Sequence, residues 1–352
     1  MDVHERYMSR CLQLASHALG HAAPNPMVGA VLVHEGRIIG EGWHRHCGGA
    51  HAEVECLASV SPEDRSLIPA STLYVSLEPC AHQGRTPPCA DRIVREGIRR
   101  VFVGCRDPFA LVDGRGIETL RSAGVDVTCG VLAQESERLA IRFLRFHRDR
   151  RPYVILKWAQ SRDGMVSGPG GSPRRISSPS TDRLVHLWRS QESAIFVGSG
   201  TARMDDPRLT ARIAGGRHPL RVVVDRYLGL PRSLRLFDGE APTLVCNILR
   251  EGDEGNVAYA RLADAPDLLP GLLDTLHRRQ VQSLLVEGGV QWLGSFLDAG
   301  LWDEARVITA MHTRIPGGLP APEASWPGGP DRTLRSGDDR IDFHIHPRMQ
   351  HG

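Results

Sequence analysis

Apolar Met8, Leu12, Ala15 and Leu19 recur at helical spacing and predict a helix over about 4–19. Two apolar runs, 28–33 and 38–43, flank Glu35-Gly36 and read as a hairpin. Further along, helices are expected from about His51, from about Pro88, near 116–123 and over 133–147, with strands at 72–77, 100–104 and 125–129. The last helix runs into the basic stretch 145–151 and then Pro152, whose ring fixes φ and removes a donor, so the helix stops there. A second strand series follows at 153–158, 194–197, 220–224, 243–246, 283–286 and 305–309, with helices over 180–191, 268–279 and 290–299. Beyond about 314 the chain is rich in Gly and Pro, and only 341–345 reads as a strand. Strands alternating with helices imply sheets covered by helices. The expected organisation is two α/β domains, 1–147 and 148–352.

At 352 residues the chain has room for two domains of ordinary size. A hydrophobic fraction of 41 % with 24 % charged residues belongs to a soluble protein, and no apolar run reaches the roughly 20 residues that cross a bilayer. Met1-Asp2-Val3-His4-Glu5 lacks the basic and then apolar opening of a signal peptide, so a cytoplasmic protein without a membrane partner is expected. A net charge of +2 argues against a large nucleic-acid footprint. The eight cysteines, spread through a long chain, read as core fillers or metal ligands rather than a disulfide framework.

Chemistry concentrates in His51-Ala52-Glu53 and Pro79-Cys80 … Pro88-Cys89. A catalytic zinc keeps three N or S ligands and leaves its fourth position to water, which makes His51, Cys80 and Cys89 the candidate ligands. Glu53, on the first turn of the same helix as His51, suits the proton carrier that hydrolytic deamination needs, as in the His-x-Glu … Pro-Cys signature of zinc deaminases. Proline is favoured at a helix start, and a cysteine there has its thiolate favoured by the helix dipole. A structural zinc would need a fourth ligand, for which Cys47 and His82 are the candidates.

Eight residues separate the two cysteines, including Arg85 and Thr86. The segment from Glu78-Pro79-Cys80 through His82, Gly84, Arg85, Thr86 and Pro87-Pro88-Cys89 resembles the deaminase half of the bifunctional riboflavin-biosynthesis deaminase–reductase family. Pro24-Asn25-Pro26 with Val28-Gly29, and Gly42-Trp43-His44 before His51-Ala52-Glu53-Val54, are similar to it as well. The resemblance implies a three-layer α-β-α cytidine-deaminase-like domain. Its implied substrate is a diaminopyrimidinone carrying a ribosylamino 5′-phosphate, with Asn25, Val28, Gly29 and His44 at the base pocket and Arg85 and Thr86 near the phosphate. A guanidinium suits that task because its donors pair bidentately with phosphate oxygens. Where the family often reads Asp-Pro-Asn-Pro, this chain has Asp107-Pro108-Phe109-Ala110.

In the second domain, strands run into Gly198-Ser199-Gly200-Thr201 and into Glu287-Gly288-Gly289. Glycines between strand and helix let a phosphate approach backbone N–H groups, although each motif alone is more often a plain turn. Lys157 is the only lysine beside 42 arginines. Composition alone leaves open whether it is chemically required or accidental. Pro152 … Lys157-Trp158-Ala159 … Asp163-Gly164, Arg189 … Thr201 … Asp205-Asp206-Pro207 … Arg212, and Leu285-Val286-Glu287-Gly288-Gly289 resemble the reductase half of the same family. That resemblance implies a dihydrofolate-reductase-like α/β domain using NADPH, with Ala159, Thr201, Asp205, Gly288 and Gly289 toward the cofactor. It also implies Ser172, Arg189, Leu209, Arg212 and Glu287 toward the phosphorylated sugar, with Lys157 and Asp205 as the polar groups nearest hydride transfer. Arg162 and Arg175 stand where the family has Leu and Trp. The expected protein is a homo-oligomeric two-step enzyme holding one Zn2+ and NADPH. Its competitors are a polynucleotide base deaminase and a deaminase whose second domain only binds or regulates.

Overall fold

The computed structural model describes residues 2–81, 87–109, 112–212, 216–264, 266, 268–326 and 328–349. The chain divides into two compact units, Met1–Arg150 and Arg151–Gly352. No helix among the described residues is long and apolar enough to cross a membrane.

The first unit runs α1 (Val3–Ser16), β1 (Gly29–His34), β2 (Arg37–Trp43), α2 (Ala52–Ala58), β3 (Thr72–Leu77), α3 (Cys89–Arg95), β4 (Arg100–Cys105), α4 (Arg115–Ser122), β5 (Asp126–Cys129) and α5 (Ala133–Arg148). Asp2 and Glu5 form a reciprocal capping box that starts α1, satisfying two otherwise orphaned donors. The helix ends at Ser16, earlier than periodicity suggested. Its buried stripe is Tyr7, Met8, Cys11, Leu14 and Ala15, which leaves Leu12 off the centre of the packed face. The strands form one sheet in the order β2-β1-β3-β4-β5, with β1 antiparallel to both neighbours and β3, β4 and β5 parallel.

Alternation along β1 explains the layering. Ala30 and Leu32 pack with Ala52, Cys56 and Leu57 of α2, Ile93 of α3 and Leu120 of α4, while Val31 and Val33 pack with Met8, Cys11 and Leu14 of α1. On the α1 side, α5 closes over Leu77 and Cys105 through Ala140, Phe143 and Leu144. The result is a three-layer α-β-α unit.

The second unit contains β6 (Tyr153–Ser161), β7 (Met165–Ser167), α6 (Pro179–Gln191), β8 (Ala194–Gly198), α7 (Ser199–Asp205), β9 (Leu220–Val224), β10 (Thr243–Asn247), β11 (Gly252–Glu254), β12 (Val257–Arg261), α8 (Leu268–Arg278), β13 (Ser283–Gly288), α9 (Val290–Asp298), β14 (Glu304–Ala310), β15 (Leu319–Pro320), β16 (Arg332–Ser336) and β17 (Asp339–Ile345). Its main sheet has the order β11-β12-β10-β9-β8-β13-β6-β14-β17-β16. The run from β12 to β14 is parallel, with antiparallel strands at both margins. Both faces of the parallel run are covered, as such sheets require. Val154, Leu156, Phe196 and Val286 meet α8 and α9 on one face, while Ile195, Val197 and Val223 meet Ala202, Leu230 and Leu236 on the other.

Candidate functional sites

In the first unit, β3 delivers Glu78-Pro79-Cys80 at its C-terminal end, and two helix starts supply the remaining groups. His51 is the N-cap of α2, and Cys89 is the first residue of α3 behind Pro88. The His51 Nδ1 atom lies 3.5 Å from Cys80 Sγ and 3.3 Å from Cys89 Sγ. The Cys89 backbone N–H donates to Cys80 Sγ at 3.3 Å. The Cys89 thiol, together with His51, holds Cys80 at about 4, while the hydrogen bond to Cys80 pushes Cys89 up. Interaction with Cys80 also raises His51.

One ring nitrogen and two sulfurs within 4.8 Å of one another fit the donor set and reach of a zinc ion with Zn–N about 2.0 Å and Zn–S about 2.3 Å. No fourth His, Cys, Asp or Glu joins them among the described residues. Cys47 is exposed, its sulfur 4.0 Å from Asn25 Oδ1, and His82 lies outside the described residues. A three-donor set matches the catalytic rather than the structural kind of site. Glu53, on the first turn of α2, is only 3 % exposed, and burial raises its carboxyl above the ordinary value.

Around this centre, Asn25 Nδ2 meets His44 Nε2 at 3.0 Å, and His44 Nδ1 faces the Ala50 carbonyl at 2.9 Å. That carbonyl can only accept, so Nδ1 carries the proton and Nε2 receives the Asn25 amide. The rings of His44 and His51 stand edge to face at 5.6 Å. The Val28 carbonyl accepts from His44 N, and Gly29 N donates to Ser76 Oγ at 3.1 Å. Arg85 and Thr86 lie outside the described residues.

Glu78 has a structural task that nothing in its sequence neighbourhood marks. Its buried carboxylate accepts from four backbone N–H groups, those of Asp107, Gly114, Gly116 and Ile117. This ties the Cys80 turn to the start of α4. A Cβ at Gly116 would lie 1.9 Å from the Pro79 carbonyl oxygen, so only glycine allows the approach. Glu78→Ala strands those donors and is expected to cost at least about 3 kcal/mol, read as a fall in the denaturant midpoint of the first unit. Asp107, beside this knot, is pushed up to about 7 by burial. Phe109 is not lost polarity alone: it packs against the cluster of Leu77, Cys105 and Phe143.

In the second unit, strand parity does the assembling. Leu156 on β6 is in register with Val286 on β13, so the next residues, Lys157 and Glu287, are neighbours pointing to the opposite face. Arg189 of α6 comes down on that face. Its Nε and Nη2 donate to both Glu287 oxygens at 2.8 and 2.6 Å, and Lys157 Nζ stands 3.7 Å from Glu287 Oε2. Burial opposes the Glu287 charge, but Arg189 and Lys157 outweigh it and hold the carboxyl at about 2. Burial lowers Lys157, with Glu287 opposing. A carboxylate held below its unfolded value stabilises fully above that value, near pH 4.5, and the contribution is lost as pH falls toward 2. Glu287→Gln, which leaves two buried cations facing each other, is expected to cost about 3–5 kcal/mol in chemical denaturation at pH 7 and to abolish this acid dependence.

Arg212 joins the cluster through Thr210, whose hydroxyl accepts from Arg212 Nη1 at 3.2 Å and whose carbonyl lies 3.5 Å from Arg189 Nη1. Thr201 sits against the Gly288-Gly289 turn, where a Cβ on Gly288 would meet Thr201 Cγ2 at 2.8 Å. Ala159 follows Lys157 on the same face of β6. Three expected residues lie apart from the ion-pair cluster. Asp205 ends α7, and its carboxylate makes no side-chain hydrogen bond or ion pair with the described residues; burial raises its carboxyl. Leu209 buries its side chain among Ile195, Val197 and Ala202, and Ser172 closes a tight turn with Gly168. Arg162 is exposed, and Arg175 pairs with Asp182 at 2.6 Å, so both departures fall on solvent-facing positions.

Comparison with known proteins assigns a family to each of the two units. Residues 1–105 match the family model of the cytidine and deoxycytidylate deaminase zinc-binding region, and residues 152–317 match that of the RibD C-terminal domain, the dihydrofolate-reductase-like reductase class. The chain is 38 % identical to riboflavin biosynthesis protein RibD of Aquifex aeolicus over 322 residues, spanning 90 % of this chain and 88 % of that protein. It is 39 % identical to the RibD protein of Bacillus amyloliquefaciens over 310 residues, spanning 85 % of this chain and 82 % of the relative. A crystal structure of a diaminohydroxyphosphoribosylaminopyrimidine deaminase/5-amino-6-(5-phosphoribosylamino)uracil reductase from Thermotoga maritima superposes with a TM-score of 0.87 at 34 % identity, covering 98 % of this chain and 99 % of that one. Identity at this level, carried through both halves, places the chain in the RibD family of bifunctional deaminase–reductases of riboflavin biosynthesis.

Proposed function

We propose that the protein carries out two consecutive steps of riboflavin biosynthesis. The first is hydrolytic deamination of 2,5-diamino-6-ribosylamino-4(3H)-pyrimidinone 5′-phosphate; the second is NADPH-dependent reduction of the ribosyl to the ribityl chain. The observation that carries the reading is the convergence of His51, Cys80 and Cys89 beside the buried Glu53. Zinc held by those three residues would supply an activated water. Glu53 accepts a proton at its carboxylate and returns it to the departing amine, a transfer favoured by a carboxyl whose pKa is raised by burial. Asn25, oriented by His44, offers its amide to the base.

In the second unit the hydride belongs to NADPH, and the protein contributes orientation and electrostatics. The Gly288-Gly289 turn leads into α9 and Gly198 into α7, two strand-to-helix turns that favour a dinucleotide. Lys157, whose ammonium is destabilised by burial, is the group best suited to release a proton as the sugar is reduced.

Purified zinc-loaded protein, given the diaminopyrimidinone with and without NADPH, tests both steps by mass spectrometry. Exchange of an amino group for oxygen is expected in both conditions, and gain of two hydrogens only with NADPH. Unchanged substrate in both conditions would defeat the proposal.

A further inference from the structure

The β16–β17 hairpin lies beyond the segment 152–317 matched to the reductase family, yet it grips α6, the helix that carries Arg189, at two points. At the first, Ser178 is the N-cap of α6, and its backbone N–H donates to Asp339 Oδ2 at 2.8 Å. In a capping box that donor is met by the side chain at the third helical position. Here that residue is Thr181, whose hydroxyl is engaged by the Ser336 carbonyl at 3.2 Å, as is the Ser178 hydroxyl at 3.3 Å. A carboxylate from another strand therefore closes the helix start, where the backbone dipole favours negative charge. Both Asp339 and Thr181 are buried.

At the second point, Phe343 meets Trp188 edge to face, with ring centres 5.9 Å apart. Asp339 and Phe343 share a face of β17, because side chains alternate along a strand. The strand covers about 13 Å between them, and α6 rises about 15 Å from Ser178 to Trp188, so one face of β17 tracks the helix. Trp188 also lies under Arg306, whose guanidinium carbon is 4.7 Å from the ring centre and whose strand partner is Lys157. The residue after Trp188 is Arg189.

What α6 delivers is a competition for one carboxylate. Arg189 Nη2 lies 2.6 Å and Lys157 Nζ 3.7 Å from the same Glu287 oxygen. Burial lowers Lys157 most; Glu287 opposes it, and Arg189 acts with burial. Asp182 of α6 also opposes, and Arg306 on β14 is engaged by Glu304 at 2.7 Å. If α6 moves away, Glu287 is left to Lys157 alone, which favours the ammonium.

We propose that the β16–β17 hairpin positions the Lys157–Glu287–Arg189 centre by holding α6, with Asp339 as the positioning residue. The inference rests on the reading of Lys157 as the proton source for reduction of the sugar.

Asp339→Ala leaves the Ser178 N–H without its acceptor, whereas Asp339→Asn keeps a side-chain oxygen in the same place. The Ala variant is expected to lower the reductase kcat about tenfold, with the KM for NADPH and the deamination rate within about twofold of wild type. The limb of its kcat–pH profile set by Lys157 should move to higher pH, and Asp339→Asn should restore both rate and profile. Gly337→Ala tests the same grip without touching Asp339. That glycine has φ +59°, and a Cβ there would meet Ser180 Oγ at 2.6 Å, so the hairpin turn is displaced from the helix start. It should repeat the Asp339→Ala result, and it decides the matter if Asp339→Ala does not fold. An activity-independent arm uses the composition: with one lysine in the chain, 13C-labelled lysine gives a single side-chain resonance in the full-length protein. Its titration midpoint is expected to lie higher in Asp339→Ala and Gly337→Ala than in wild type. An unmoved midpoint in the folded variants makes the hairpin a stability element only and overturns the inference, as does a kcat loss that Asn does not relieve. If the wild type reduces nothing, the role given to Lys157 fails, while the labelled lysine still decides whether the hairpin holds the centre.

Discussion

Glu53→Gln is expected to slow deamination by about a thousandfold while leaving one zinc per chain. The amide has the shape of the carboxyl and fits the same buried place on α2, so folding and the positions of His51, Cys80 and Cys89 are preserved. What it removes is the ability to take a proton at one moment and give it back at the next. Initial rates, measured together with metal content by elemental analysis, check both halves of the expectation. A variant within tenfold of wild type would move the proton work to another group. Loss of zinc along with activity would instead make Glu53 part of the metal's support.

The second large effect concerns Lys157. Lys157→Met is expected to lower the reductase rate by a hundredfold or more with deamination intact, because the two reactions belong to separate units. The fold should tolerate the change, since Arg189 still binds both Glu287 oxygens and Met keeps the apolar stem. Lys157→Arg is the sharper probe. It restores the charge but not the compact ammonium, and a guanidinium does not give up its proton. A fully active Arg variant would mean that charge alone is needed, and would make the single lysine an accident of an arginine-rich composition.

What was legible in the sequence follows from which forces leave local marks. Buried strands show as apolar runs because both faces must be covered, and β3, β8, β9 and β13 were readable for that reason. The marginal strands were not. Arg332–Ser336 is largely exposed along its length, and Gly252–Glu254 wholly so, leaving no apolar face to betray them. β12 was missed although Val257, Tyr259 and Ala260 are buried, because Ala and Arg dilute a five-residue signal.

The metal centre was legible because zinc dictates residue types, and a strand end and two helix starts dictate where they sit. Glu78 was not, since an ordinary glutamate acquires its role only from backbone groups 29 or more positions away in the chain. At two of the family departures the new side chain finds contacts of its own. Phe109 adds apolar packing, and Arg175 donates to Asp182.

The four amides gathered by Glu78 carry a consequence for how the first unit breathes. Gly114, Gly116 and Ile117 lie at the start of α4, where a helix otherwise leaves its first donors to water. Bound to a buried carboxylate, they exchange with solvent only when the Cys80 turn and the α4 start open together. The strand end that carries one sulfur thus belongs to the same cooperative opening unit as a helix that carries none. The turn that presents Cys80 is therefore held by bonds that do not involve the metal, which lowers the ordering entropy opposing capture at that ligand.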